Sequence, residues 1–186
     1  MEYRHVEFQK KEDETRYHVT AVWLYDVVAT FVVAILLIGL TVCFLGKGAR
    51  VSGRSMEPTL SSGDRLIITN LTNRYQRGDI VVIGRQPKQT LVKRIIATEG
   101  DTVDIDFSTG QVFLNGTLLE EDYIAEPTYL NYTDGPTFPL TVPTGYVFVL
   151  GDNRNHSLDS RSGEVGLVLT QSILGKVVWN AGHYSG

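Results

Sequence analysis

The sequence of 186 residues has one cysteine, Cys43. No disulfide can form within the chain, and no cysteine-rich metal site is available. Positive charge is not in excess either: 17 Lys and Arg stand against 21 Asp and Glu, for a formal net charge of -4. A slightly acidic chain lacks the bulk basic field that nucleic acid attracts, which excludes that partner class. There is no internal repeat and no low-complexity tract, and nothing after Leu45 has helical periodicity. The part beyond Leu45 must therefore be stable through a β-rich core alone. No pattern calls for a metal ion or another cofactor.

One long apolar run is present. From Val27 to Leu45 there are 19 residues without a charge, VVATFVVAILLIGLTVCFL. As a helix it nearly matches a hydrocarbon core of roughly 30 Å. A cleaved signal peptide has a shorter apolar region behind a short basic start. Here 26 mixed-charge residues precede the run and no small-x-small pattern closely follows it. The expected organisation is a cytoplasmic tail over 1–26, a transmembrane helix over 27–45 and an extracytoplasmic domain over 46–186. Arg4, Lys10, Lys11 and Arg16 precede the run, and Lys47, Arg50 and Arg54 follow it. That small excess favours an N-terminus inside the cell.

Beyond a short Gly-containing link at residues 46–50, the pattern becomes short runs rich in Val and Ile, separated by turn residues. Strands are expected at Arg65–Thr69, Asp79–Ile83, Thr90–Thr98, Thr102–Asp106, Gln111–Leu114, Thr117–Leu119, Tyr146–Leu150 and Leu174–Trp179. Asn115-Gly116 between two of them is a two-residue hairpin signal, because both positions need positive φ. Residues 120–145 carry Pro127, Pro136, Pro139 and Pro143 and read as a surface excursion with little ladder structure. The fold class is mainly β: an antiparallel, barrel-like sheet domain behind one N-terminal transmembrane helix.

Four segments stand out: Ser52–Leu60 (SGRSMEPTL), Arg77–Val82 (RGDIVV), Lys93–Asp101 (KRIIATEGD) and Gly151–Arg161 (GDNRNHSLDSR). Singly, each has an ordinary reading as a turn, an edge strand or a self-bonded loop. In this order, behind one transmembrane helix, they resemble the bacterial type I signal peptidases, a Ser–Lys protease family. The resemblance covers about residues 20–180. It implies Ser55 as nucleophile and Lys93 as general base, with Ser157 hydrogen-bonded to the Lys93 amine. It further implies an Asp159–Arg161 pair that holds the loop, and Met56 in the floor of the substrate groove. Substrates would be exported preproteins whose signal peptides end in small residues at -1 and -3, cut at the membrane surface through an acyl-enzyme.

The chemistry can be argued from the residues as well. A serine hydroxyl is a weak nucleophile until a base takes its proton, and a neutral lysine can do so. A free lysine, with a pKa near about 10.4, is almost wholly protonated at neutral pH. Lowering that value by roughly two to three units costs the ammonium about 3–4 kcal/mol, which burial can supply. Strand alternation puts Leu91, Lys93 and Ile95 on one face, an apolar setting, and turns Arg94 to the other. From there its repulsion at the site is limited, although Arg94 can still add to the depression of the lysine. The Ser55 N–H is the first oxyanion donor. Gly53 offers no side chain as a second donor, although it lets a substrate backbone approach closely. An extended substrate is expected to add to a strand edge, with small residues in shallow pockets lined by Met56, Leu60, Leu91 and Val92.

Three other readings compete with this one. His156, beside Ser157 and near Asp152 and Asp159, is the rival base, since His5, His18 and His183 lie before the anchor or in the terminal tail. A catalytically silent relative that binds preproteins or assists pilus assembly would be expected to lack the serine or the lysine. A self-cleaving Ser–Lys regulator would be soluble. The sequons at Asn70, Asn115, Asn131 and Asn155 read as chance, since glycans in the hairpin or the 151–161 loop would disrupt both.

Overall fold

The structure, a computed structural model, describes residues 22–39, 47–70, 74–85 and 89–182. The chain forms two compact units, Met1–Phe44 and Leu45–Gly186. In the first, helix α1 spans Val22–Gly39 and is about 27 Å long. Its large apolar side chains are exposed. Among the described residues it is the one helix long and apolar enough to cross a membrane. Val22–Asp26 is already helical, where the expected tail should still run. Val22, Trp23, Leu24 and Tyr25 extend the apolar surface, and the Asp26 carbonyl accepts a bond from Thr30 Oγ1 at 2.7 Å. Residues 40–45 of the expected span and 1–21 of the expected tail lie outside the described residues.

The second unit is built from strands β1 (Lys47–Arg50), β2 (Arg65–Thr69), β3 (Ile80–Arg85), β4 (Gln89–Thr98), β5 (Thr102–Asp106), β6 (Gln111–Leu114), β7 (Thr117–Leu118), β8 (Leu140–Thr141), β9 (Tyr146–Leu150), β10 (Val168–Leu169) and β11 (Ile173–Asn180). They form a seven-stranded sheet in the order β1-β2-β11-β3-β4-β9-β10 and a four-stranded sheet in the order β7-β6-β5-β8. The strand pairs in both sheets are antiparallel. The only helical pieces described in this unit are 3₁₀ turns at Arg154–His156 and Thr170–Ser172.

The eight expected strands are present, with ends displaced by at most a couple of residues. Three others, β1, β8 and β10, were not expected. Residues 47–50 form β1 rather than a link, because Ala49 pairs with Leu66 of β2 and packs on the apolar cluster beneath it. Strands β8 and β10 have two residues each, too few to show a period of two. Asn115 and Gly116 adopt φ of 53° and 79° at the tip of the β6–β7 hairpin, as that turn requires.

Three apolar clusters form the core. Strand β9 is buried on both sides: Phe148 and Leu150 face Val103, Ile105, Val112 and Leu114 of the small sheet. Val147 and Val149 face Val81, Ile83 and Ile95. The third cluster joins Val51, Met56 and Leu60 to Leu66, Ile68 and Val82, and so fixes the segment that carries Ser55 to the large sheet.

Candidate active site

Ser55 lies in a tight turn that Met56 and Leu60 anchor. Glu57 N donates to Arg54 O at 3.1 Å and Leu60 N to Met56 O at 2.8 Å. Lys93 is central in β4, opposite Val81 of β3. Opposed residues of an antiparallel pair share a face, so Lys93 stands among Val81, Leu91 and Ile95, as alternation predicts. It is 2% exposed, and its Nζ lies 2.7 Å from Ser55 Oγ. Removal from water is the largest influence on the amine and lowers its pKa from 10.5 to about 8. Asp159 opposes that shift, Arg161 reinforces it and Asp152 opposes it. The reinforcing cation is Arg161; Arg94, turned to the opposite face, is not among the influences on the amine.

Arg94 is occupied on the other face of β4. Its Nε and Nη2 donate to the two Asp152 oxygens at 2.8 and 2.7 Å. Its guanidinium lies 4.0 Å from the centre of the Tyr123 ring. Asp152 also accepts from Thr59 Oγ1 at 2.5 Å, which ties the turn after Ser55 to the 151–161 loop.

That loop is held by buried charge. Arg161 donates to both Asp159 oxygens, at 2.8 and 2.9 Å, and both side chains are fully buried. Asp159 in turn accepts from Gly151 N at 3.0 Å. Arg161 also reaches Leu130 O at 3.0 Å and Arg154 O at 2.5 Å. Arg154 pairs with Glu121 and donates to Thr128 Oγ1 at 2.8 Å. The pairing of Asp159 with Arg161 follows the expectation. Glu121 and Thr128, by contrast, gave no signal in the sequence, and Asn155 stood out there only as a sequon within the 151–161 segment. The Asn155 oxygen accepts from Tyr129 N and Leu130 N, at 3.0 and 2.9 Å. The proline-bearing excursion is therefore a brace for the loop, although it has little ladder structure of its own.

Ser157 departs from expectation. Its Oγ is buried and has no hydrogen-bond partner among the described residues; the bond to the Lys93 amine is not formed. The hydroxyl packs against Gly151, where an added methyl would collide with Ser157 Oγ and with Ser55 O. Glycine is required there by close approach, not by its backbone angles.

The expected pocket residues divide. Met56, Leu60 and Val92 pack together in one cluster. Leu91 projects from the opposite face of β4 into another, where it lines a separate cavity of about 370 Å³ with Ile83, Tyr146, Leu167 and Val168. The correction follows from the pleat: adjacent residues 91 and 92 cannot share a face. Gly53 is exposed beside Ser55. Strand β9 pairs with β4 only from Arg94 onward, so among the described residues no strand covers the edge of β4 before Arg94 on that side.

The other motifs resolve structurally. Asp79 of the Arg-Gly-Asp tripeptide accepts from Gln76 N at 3.0 Å and pairs with Lys176 at 2.6 Å. Arg77 pairs with Asp101. His156 is exposed, while the contact to the Ser55 hydroxyl comes from Lys93. His5, His18 and His183 lie outside the described residues. The side-chain amides of Asn115 and Asn155 donate to Asp101 and to Pro127 O at 3.0 and 3.1 Å, so both nitrogens are already engaged. No group of three or more His, Cys, Asp or Glu suited to a metal occurs among the described residues.

The model of the signal peptidase family, peptidase S26, matches residues 24–181. The chain belongs to that family. It is 36% identical over 162 residues to a signal peptidase I P of Bacillus subtilis subsp. natto, covering 82% of this chain and 85% of the relative. A signal peptidase I T of Bacillus subtilis strain 168 is 40% identical over 154 residues, covering 77% and 78%. A crystal structure of a signal peptidase I from Enterococcus faecalis V583 is 33% identical, with a TM-score of 0.46, covering 55% of this chain and 96% of that one. As a member, the chain is a serine peptidase of the type I signal peptidase class.

Proposed function

We propose that this peptidase removes signal peptides from exported preproteins with Ser55 as nucleophile and Lys93 as general base. The observation that carries the reading is the 2.7 Å approach of Lys93 Nζ to Ser55 Oγ at a lysine whose pKa is lowered to about 8. Roughly one lysine in ten is then neutral at pH 7, against about one in several thousand for a free side chain.

The neutral amine accepts the Ser55 proton as Oγ attacks the scissile carbonyl carbon. The Ser55 N–H stabilises the oxyanion. The Lys93 ammonium then protonates the departing amine of the mature protein, leaving the signal peptide as an ester on Ser55. Water, deprotonated by Lys93, releases it. Asp159 and Arg161 hold the loop beside the lysine, and Ser157 fills the space against Gly151.

The substrate adds to the open edge of β4. Since β9 occupies that edge from Arg94 onward, residues before the scissile bond run along Gln89–Lys93. Met56, Leu60 and Val92 face small side chains there, Gly53 leaves room for the backbone, and Leu91 lies behind. Helix α1 anchors the enzyme in the bilayer as a single span, with the N-terminus in the cytoplasm and the catalytic unit outside. The small Lys and Arg excess before the apolar run supports that orientation. Cleavage of a preprotein in detergent or vesicles tests the mechanism. Ser55→Ala and Lys93→Ala should each abolish turnover; a folded variant of either that still cuts would overturn it.

A further inference from the structure

The oxyanion donor has no side chain of its own to fix its direction, because it is the backbone N–H of Ser55. A peptide unit is planar and trans, so its C=O and N–H point in opposite directions. Whatever holds the Arg54 carbonyl therefore aims the Ser55 N–H. Among the described residues that N–H makes no hydrogen bond, and it is left for a ligand.

The Arg54 carbonyl is held twice. Glu57 N donates to it at 3.1 Å within the turn. Asn153 Nδ2 donates to it at 3.1 Å from the loop on the far side of the site. The backbone N–H of the same Asn153 donates to Ser55 O at 3.1 Å. One residue thus grips the peptide units on both sides of the Ser55 Cα. Asn153 is buried, at 6% exposure, and its neighbours Asp152 and Arg154 are fixed by ion pairs. A bond within the turn moves with the turn. A bond from the braced loop refers the Ser55 peptide to the same frame that surrounds Lys93.

Resting on the assignment of Ser55 as nucleophile, we infer that Asn153 is a positioning residue that aims the oxyanion-hole N–H by clamping the Arg54–Ser55 peptide. Its amide is a hydrogen-bond donor to this peptide and does not touch the reacting atoms. Losing it should weaken binding of the transition state and leave binding of the substrate in place.

The test compares Asn153→Ala and the near-isosteric but neutral Asn153→Leu with wild-type full-length enzyme on a preprotein substrate. The affinity of a peptide aldehyde, which forms a tetrahedral adduct with the serine, is measured alongside. The expected result for either variant that melts as a folded protein is a kcat loss of about 10- to 100-fold. KM should stay within about threefold, the pH inflection should stay near 8, and aldehyde affinity should fall in parallel with kcat. Full activity in both folded variants would overturn the inference. So would a loss confined to KM, or a moved inflection, which would assign the residue to substrate binding or to the lysine. Ser55→Ala and Lys93→Ala are run beside them. Activity retained there would sink the mechanism itself, whereas activity lost there and kept in the Asn153 variants would sink only the clamp.

Discussion

Strand β4 treats two adjacent cations in opposite ways. Lys93 faces Val81, Leu91 and Ile95 and has serine rather than a carboxylate as its partner at 2.7 Å. Arg94, on the other face, is gripped by both oxygens of Asp152 and covered by Tyr123. Burial acts on both. For Lys93 desolvation prevails and the charged form is disfavoured. For Arg94 desolvation is the largest single influence, yet the Asp152 bond and charge, joined by Tyr123 and Glu121, overcome it and the cation is reinforced. The difference teaches that burial alone does not make a base: it must come without a carboxylate in contact.

The largest expected effect comes from removing the unpaired member. Lys93→Met should cost at least about 10³-fold in kcat/KM and yet raise stability at neutral pH. A lysine whose native pKa is depressed is penalised in the fold below about pH 8, and the penalty fades as pH rises to its unfolded value of 10.5. It amounts to about 3 kcal/mol. Thermal unfolding should show Lys93→Met more stable than wild type at pH 7, with the gap closing near pH 10.5.

Gly151→Ala should come next. Its methyl must displace Ser157 Oγ or the Ser55 carbonyl, so a loss of roughly 100-fold in kcat is expected, with about 1–3 kcal/mol of destabilisation from overpacking. Activity near wild type would mean that this approach is looser than it looks. A smaller effect is the pH profile of the unaltered enzyme. Below about pH 8, kcat/KM should fall about tenfold per unit, because only the neutral amine accepts a proton. A flat profile from pH 6 to 9 would show that the lysine does not titrate in the rate.

Arg94→Met should have the smallest effect on catalysis, within about fivefold, and should move the inflection by less than about one unit, since Asp152 is the last of the four influences on Lys93. It strands the buried Asp152 carboxylate, so it should cost about 3–5 kcal/mol of stability. Adding Asp152→Asn should recover much of that loss. An inflection moved by more than about one unit in the Arg94 variant would erase the contrast between the two faces.

Much of the fold is legible in the sequence. Val and Ile runs with turn residues between them locate eight strands, because alternation and turn chemistry are local. Strands β8 and β10 escape, because two residues carry no period and their partners are distant. Residues 47–50 escape because glycine and charge mask a segment whose strand character comes from pairing with β2. The site divides in the same way. Ser55, Lys93 and the Asp159–Arg161 pair lie within motifs. The Glu121–Arg154 brace, the Asn155 contacts and the Asn153 clamp join residues far apart in sequence or atoms of the backbone, which no motif spells out.

The sequence by itself determined that Leu91, Lys93 and Ile95 share a face opposed to Arg94, because a strand has a period of two. It also determined that the unit has no disulfide, and that a helix of membrane-spanning length precedes it. Only the tertiary structure decided that Lys93 meets Ser55 and that Arg94 meets Asp152, since these contacts join segments that only folding brings together. The depressed lysine is the sum of both: the strand supplies the apolar face, and the fold supplies a hydroxyl where a carboxylate would have kept the amine charged.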